Sequence, residues 1–215
     1  YKEAIEEAHR SSWKSEKEIA GSKQSVEIEM TLDVKHSTSE DIFRLDNSAE
    51  ASECLKKIRP RYIYLVKKSA IAALERGPKI GGQIVDVCIK LHRLVIGRGT
   101  VDAFISAAIY QCVQKIMLEA NCRLMEPMMA IQIVVPSEKV SSILADSGRR
   151  RAQILEISLR GEQNKVIEMI APLAELSGYS SVVRTISSGT ASLTMQPHGY
   201  SMLPPLDEAT AIRRA

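Results

Sequence analysis

The stretch VDAFISAAIYQCVQKIMLEANCRLMEPMMAIQIVV, from Val101 to Val135, decides how this chain is partitioned. Its first 20 residues place Val101, Phe104, Ile105, Ala108, Ile109, Cys112, Val113, Ile116, Met117 and Ala120 at i, i+3, i+4, i+7 spacing. Asp102, Ser106, Gln111, Gln114, Lys115 and Glu119 fill the opposite side. That is one long amphipathic helix, a rod of roughly 30 Å at about 1.5 Å per residue. Glu126-Pro127 stops any helix, because a residue before proline avoids the αR region. From Met128 to Val135 the pattern reads as a strand closed by Pro136. The helix therefore ends one domain, and its exit opens another.

Upstream, Tyr1 to about Lys23 is mostly polar, with Trp13 set among Lys, Glu and Ser, and reads as extended or poorly ordered chain. Val26, Ile28, Met30, Leu32 and Val34 alternate with Glu27, Glu29, Thr31 and Asp33, which predicts a half-buried strand. His36 to Asn47 is a run of turn formers. A helix follows Pro60 and carries Ile63, Val66, Ala70, Ala73 and Leu74, with Gly77-Pro78 as its stop. A second long strand spans Ile84 to Ile96, and Gly97-Arg98-Gly99-Thr100 turns it into the long helix. The first domain reads strand, helix, strand, helix on one sheet.

Downstream, Ser137 can cap a short helix that turns Val140, Ile143 and Leu144 inward. Gln153–Leu159 and Lys165–Ile170 are strands around a hairpin turn at Arg160–Asn164. Pro172 to about Ile186 is helical but interrupted at Gly178, and Thr190–Met195 is a fourth strand. The order is βαββαβ, the split βαβ sandwich. Pro204-Pro205 breaks the chain before a short helix from Asp207 to Arg214. The division is 1–123 and 124–203.

Composition sets outer limits. With 45% hydrophobic and 26% charged residues this is ordinary globular material. No run approaches the ~18 apolar residues of a membrane span. A net charge of +3 is too small to impose an acidic partner but permits a local basic patch. Cys54, Cys88, Cys112 and Cys122 lack zinc spacing, and Cys88 and Cys112 fall on patterned elements, which fits a reducing compartment. His9, His36, His92 and His198 are scattered without ligand or triad spacing. The Gly97–Thr100 turn lacks the lysine of a Walker loop. At 4% aromatics there is no paired stacking platform. No catalytic, cofactor or metal site is expected. Arg149-Arg150-Arg151 is either a solvated helix end or a set of phosphate contacts. Gly178-Tyr179 with Arg184 is either a kink or part of the same surface. Residue 1 is Tyr, and the chain is read as a fragment, any address signal and N-terminal enzymatic domain lying outside it.

Particular motifs carry a resemblance. Leu124-Met125-Glu126-Pro127-Met128-Met129, Arg150-Arg151-Ala152-Gln153-Ile154, Ala171-Pro172-Leu173-Ala174-Glu175-Leu176-Ser177-Gly178-Tyr179, Val183-Arg184-Thr185, Gly189 and Met195 stand in order. Together they resemble domain V of the elongation factor G family. Ala152 stands where the family has glycine. Tyr1–Ile5, Gly77-Pro78 and Ala103-Phe104 resemble its domain IV more weakly. The departures lie at the tip. Ala20-Gly21-Ser22-Lys23-Gln24 replaces the family's glycine-rich loop, and Gly97–Asp102 replaces a longer, histidine-bearing one. Leu91–Ile96, Gly99-Thr100, Ile105-Ser106-Ala107, Cys112-Val113-Gln114-Lys115, Leu144-Ala145-Asp146 and Asn164–Ile167 are similar to a mitochondrial, ribosome-releasing branch of the family.

The resemblance implies an α+β chain: a ribosomal-protein S5 domain-2-like sandwich, completed by the terminal helix (204–215), and a ferredoxin-like one. It implies the ribosome-binding C-terminal part of a translational GTPase that, with ribosome recycling factor, splits post-termination ribosomes in the mitochondrial matrix. GTP and Mg would bind elsewhere in the protein, so this part would be a monomeric, non-enzymatic binder of ribosomal RNA, with no membrane partner. Arg98, Thr100, Arg149, Arg150, Arg151 and Arg184 are the expected rRNA contacts. Two alternatives are a translocase or ribosome-protection relative, which needs the histidine-bearing tip, and a ferredoxin-like small-molecule regulatory module, which needs a polar pocket.

Overall fold

The computed structural model of the protein describes residues 1–19, 21–35 and 41–214. The chain separates into two compact units, Lys2–Leu124 joined by the segment from Pro204 onward, and Met125–Leu203. Each has its own sheet and its own core, so the chain is α+β as expected.

The first unit contains β1 (Lys2–Ala4), β2 (His9–Ile19), β3 (Ser22–Val34), β4 (Phe43–Leu45), α1 (Ala49–Leu55), α2 (Pro60–Ala73), β5 (Val87–Ile96) and α3 (Asp102–Glu119). Its sheet order is β2-β3-β5-β4, antiparallel except for β4 beside β5. The helix read from Val101–Ala120 is realised almost residue for residue. Its buried face is Ile105, Ala108, Ile109, Cys112, Val113, Ile116 and Met117. That face packs with Ile28, Met30 and Leu32 of β3 and Ile89 and Leu91 of β5 in one core.

Several expectations need correction. The polar segment before Lys23 is not poorly ordered: residues His9–Ile19 pair with β3 through eleven registered positions, from His9↔Leu32 to Ile19↔Ser22. Ser11, Trp13 and Ser15 share the core side, while Arg10, Ser12, Lys14 and Glu16 lie outward and Arg10 bonds Glu29 at 2.8 Å. A charged edge strand needs little apolar content, because its partner strand supplies the buried side chains. The second long strand begins at Val87 rather than Ile84, because Asp86 at φ 55° breaks the extended run. The expected His36–Asn47 loop contains β4, and its residues 36–40 lie outside those described. Gly77 does not cap α2, which ends at Ala73. Glu3, fully buried, instead accepts hydrogen bonds from the backbone N–H groups of Lys79 (3.1 Å), Ile80 (3.0 Å) and Gly82 (3.2 Å). A Cβ at Gly77 would overlap that carboxylate. Finally, α3 is ended by Asn121 at φ 49°, not by Glu126-Pro127, which lies inside the next strand.

The second unit runs β6 (Arg123–Pro136), α4 (Val140–Arg149), β7 (Gln153–Arg160), β8 (Asn164–Pro172), α5 (Tyr179–Ile186) and β9 (Ser192–Met202). Within it the antiparallel order is β9-β6-β8-β7, the expected split βαβ arrangement. Ser137 does not cap α4; its hydroxyl donates to Gln163 O at 3.0 Å. Pro172 ends β8, and the expected helix after it is a short 3-10 turn, Leu173–Leu176, separated from α5 by Gly178 at φ 69°. The chain ends in α6 (Pro205–Arg214), which packs with the first unit. Its Glu208 accepts from Lys79 Nζ (2.7 Å), Arg123 Nε (2.6 Å) and Leu124 N (3.3 Å).

Candidate nucleic-acid interface

At one end of the first unit the beginning of β3 and the β5–α3 turn are stitched into a single tip. Gln24, 3% exposed, donates through Nε2 to Gly99 O at 3.3 Å and accepts from Val101 N at 2.8 Å. Thr100 Oγ1 accepts from Ser25 N at 3.2 Å and donates to Ser25 O at 3.3 Å. Gly97 N donates to the same carbonyl at 2.9 Å, and a Cβ there would strike Ser25 Oγ. Gly99 takes φ 76°, which only glycine adopts cheaply. Hydrogen bonds within the fold occupy the N–H groups of Gly97, Thr100 and Val101.

The same bonds separate the two expected contacts of this turn. Thr100 is buried at 8%, its hydroxyl consumed by Ser25, and its role is to hold the tip closed. Arg98 is exposed and has no partner among the described residues. Residue 20 of the first tip loop lies outside the described residues.

The second unit divides its arginines in the same manner. Arg150 donates through Nε to Asp146 (2.8 Å) and through Nη1 to Glu175 O (2.6 Å), and lies 4.7 Å over the ring of Tyr179. Tyr179 is 1% exposed, and burial pushes its phenol above the usual range despite a 3.3 Å contact with Ser147 Oγ. Arg151, in the left-handed region at φ 55°, forks onto both oxygens of Glu126 at 2.9 Å. Glu126 is 3% exposed, so that fork compensates a carboxylate otherwise stranded in the interior. Arg149 and Arg184, in the last turns of α4 and α5, are exposed and without a partner among the described residues. Arg184 edges a cavity of about 450 Å³ that also touches Val183, Leu193 and Met195. Of the six expected contacts, Arg98, Arg149 and Arg184 are exposed without a partner among the described residues, and Thr100, Arg150 and Arg151 are engaged inside the fold.

One constellation escaped the sequence reading. His92, 7% exposed, donates from Nδ1 to Asp46 at 2.7 Å, and its Nε2 lies 2.7 Å from Thr31 Oγ1. Hydrogen bonding from His92 holds Asp46 well below the usual carboxylate range, against the opposing effect of burial. The three residues come from β3, β5 and the connection after β4, so no spacing links them. Lys90 and Ser48 also bond Asp46, which makes this a satisfied structural cluster rather than a poised base. Among the described residues no group of three or more His, Cys, Asp or Glu could hold a metal ion, and no helix is long and apolar enough to cross a membrane. Cys88, Cys112 and Cys122 are buried thiols and Cys54 is exposed; burial pushes Cys112 up to about 12 and Cys122 up to about 11.

Residues 123–209 match the family described as elongation factor G C-terminus. The whole chain is similar to proteins named ribosome-releasing factor 2, mitochondrial: 55% identical over 215 residues in Culex quinquefasciatus, 55% over 217 in Anopheles gambiae and 56% over 215 in Drosophila willistoni. It covers 28%, 29% and 29% of those proteins, so the chain spans less than a third of their length. A crystal structure from Thermus thermophilus superposes with a TM-score of 0.83 over 99% of this chain and 31% of that one; at 21% identity the likeness is one of fold. The motifs at Glu126, Arg150–Arg151 and Gly178–Tyr179 fall inside residues 123–209, the segment that matches the elongation factor G C-terminus family.

Proposed function

We propose that this chain is the ribosome-binding, C-terminal part of a mitochondrial translational GTPase that splits post-termination ribosomes together with ribosome recycling factor. The observation that carries the proposal is the similarity of the entire chain, at 55% identity, to a protein named mitochondrial ribosome-releasing factor 2. In this reading the first unit corresponds to domain IV, closed by α6, and the second to domain V. GTP and Mg bind outside these residues. The work done here is attachment and transmission of force, with no covalent step and no oligomer required.

The geometry fits that task. A force-bearing tip must not yield, and this one is closed by hydrogen bonds from Gln24, Ser25 and Thr100 on the end of an 18-residue helix with a continuous buried face. Attachment to RNA needs cations whose charge is not already spent, and Arg98, Arg149 and Arg184 meet that condition. Arg150, Arg151 and Thr100 act behind them by fixing the backbone that presents them. The short tip, without a histidine in the Gly97–Thr100 turn, favours splitting over movement of tRNA.

The test runs two reactions on one ribosome preparation with the full-length protein. Subunit splitting that depends on GTP and recycling factor, without translocation of peptidyl-tRNA, is the expected result. Efficient translocation without splitting overturns the assignment in favour of a translocase.

A further inference from the structure

The modest net charge hides an asymmetry. Between Glu53 and Glu75 there is no acidic residue, yet Lys56, Lys57, Arg59, Arg61, Lys67 and Lys68 fall in that interval. Without these six cations the chain, at +3 overall, would be net negative. All six are exposed. Arg61 is tied to Asp102, and the other five have no partner among the described residues. Elsewhere in this unit cations are largely neutralised in place: Arg10 by Glu29, Lys90 by Asp46, Arg93 by Glu27, and Lys79 by Glu208. A merely solvated surface mixes both signs; the run from 54 to 74 carries one sign only.

The solvent side of α2 is Arg61, Tyr64, Lys67 and Lys68, at i, i+3, i+6 and i+7, a strip of about 10 Å. Tyr64 stands in its middle and is 68% exposed. Beside the strip, Lys57 and Arg59 border a groove of about 390 Å³ lined by Ile58, Tyr62, Leu94 and Val95, the last 45% exposed. Cations that meet phosphates, an open ring and an apolar groove between them are the two components of backbone attachment and base stacking. An acidic protein surface would use the charge but leave the tyrosine and the groove unexplained.

We infer that the α1–α2 junction and the outer side of α2, residues 56–68, form an RNA-binding surface made of residues other than the cations already assigned at the tip and in the second unit. Phosphates lie against Lys56, Lys57, Arg59, Lys67 and Lys68, and an unpaired base stacks on Tyr64. The inference rests on the proposed function only for the source of the RNA, which in that reading is ribosomal.

The experiment uses the full-length protein and two probes, a protein-free RNA hairpin with a single-stranded tail and poly-L-glutamate, over a salt series. Replacing Lys56, Lys57, Lys67 and Lys68 together by Gln should flatten the log–log salt dependence of RNA binding by about 2 to 4 units. Tyr64→Ala should weaken binding about tenfold with the slope unchanged, since stacking releases no counterions. Unaltered melting temperatures establish that these exposed substitutions leave the fold intact. An unchanged slope in the quadruple variant overturns the inference. So does competition by poly-L-glutamate equal to that by RNA with no effect of Tyr64→Ala, which assigns the surface to an acidic protein. Ribosome splitting is measured in parallel. If the wild type does not split ribosomes while both RNA effects hold, the proposed function falls and the surface stands; if splitting is intact and the RNA slope is unchanged, the surface falls alone.

Discussion

The tip of the first unit and the arginine corner of the second solve one problem with different chemistry. Both hold a cation out toward solvent on a turn with a left-handed residue. The tip does so with neutral groups: an amide and a hydroxyl, Gln24 and Thr100, satisfy the turn's own backbone. The corner does so with charges: Arg150 and Arg151 are bound to Asp146, Glu175 and Glu126. Neutral bonds are indifferent to salt and to moderate pH, whereas an ionic lock depends on ionisation and on both partners being present. A cluster of three consecutive arginines therefore contains residues of two kinds, and their sequence adjacency conceals it.

The most direct way to break the comparison is at Arg151. Arg151→Ala strands the buried Glu126 carboxylate and should destabilise the second unit by about 2–4 kcal/mol, below the full cost for a buried pair because Arg151 is one-third exposed. Urea unfolding followed by a probe in that unit measures it. The double replacement Glu126→Gln with Arg151→Met should recover most of the loss; a double variant as unstable as the single one would show that packing, not the ion pair, holds the corner.

At the tip the same logic predicts a smaller loss. Gln24→Ala leaves the Val101 N–H without its acceptor and should cost about 1–3 kcal/mol, nearly independent of salt. Amide exchange at Val101 should accelerate, while ribosome binding by the arginines of the second unit is untouched. Protection at Val101 equal to the wild type would refute the claim that Gln24 fastens the turn to β3.

Acid sharpens the contrast within the first unit. Asp46 titrates below its unfolded value, near 3.9, so its stabilising contribution is complete above that value and is lost as pH falls through the depressed folded value. Asp46→Asn should lower stability at neutral pH and make acid unfolding of the first unit less steep. An identical pH profile in the variant would remove Asp46 from that account. The smallest expected effect is at the free cations: Arg98→Ala and Arg149→Ala should each change stability by less than about 0.5 kcal/mol. Each should nevertheless flatten the salt dependence of ribosome binding by about 1 unit or less. A stability loss well above that range would mean the arginine has a partner inside the fold.

Elements with a long period were legible from residue types alone. The α3 stripe, the β3 alternation and the βαββαβ order each repeat one rule over eight or more residues or several elements, and tertiary packing only trimmed their ends. Short elements escaped: β4 has three residues and α1 seven, too few to display a period. Strand β2 escaped for another reason. Its own residues are polar, and it is a strand because β3 lies beside it.

The candidate site shows the same boundary. Residue types and their spacing determined that this chain has two α+β parts, a tight glycine turn feeding a rigid helix, and arginines at the ends of helices. Which cations are spent inside the fold was decided only in three dimensions, because Glu126 and Arg151 are 25 residues apart and Asp46 and His92 are 46 apart. Periodicity is a property of one element and is written in its residues. Compensation of charge is a property of pairs of elements, and it exists only once the sheet and its helices bring them within hydrogen-bond reach.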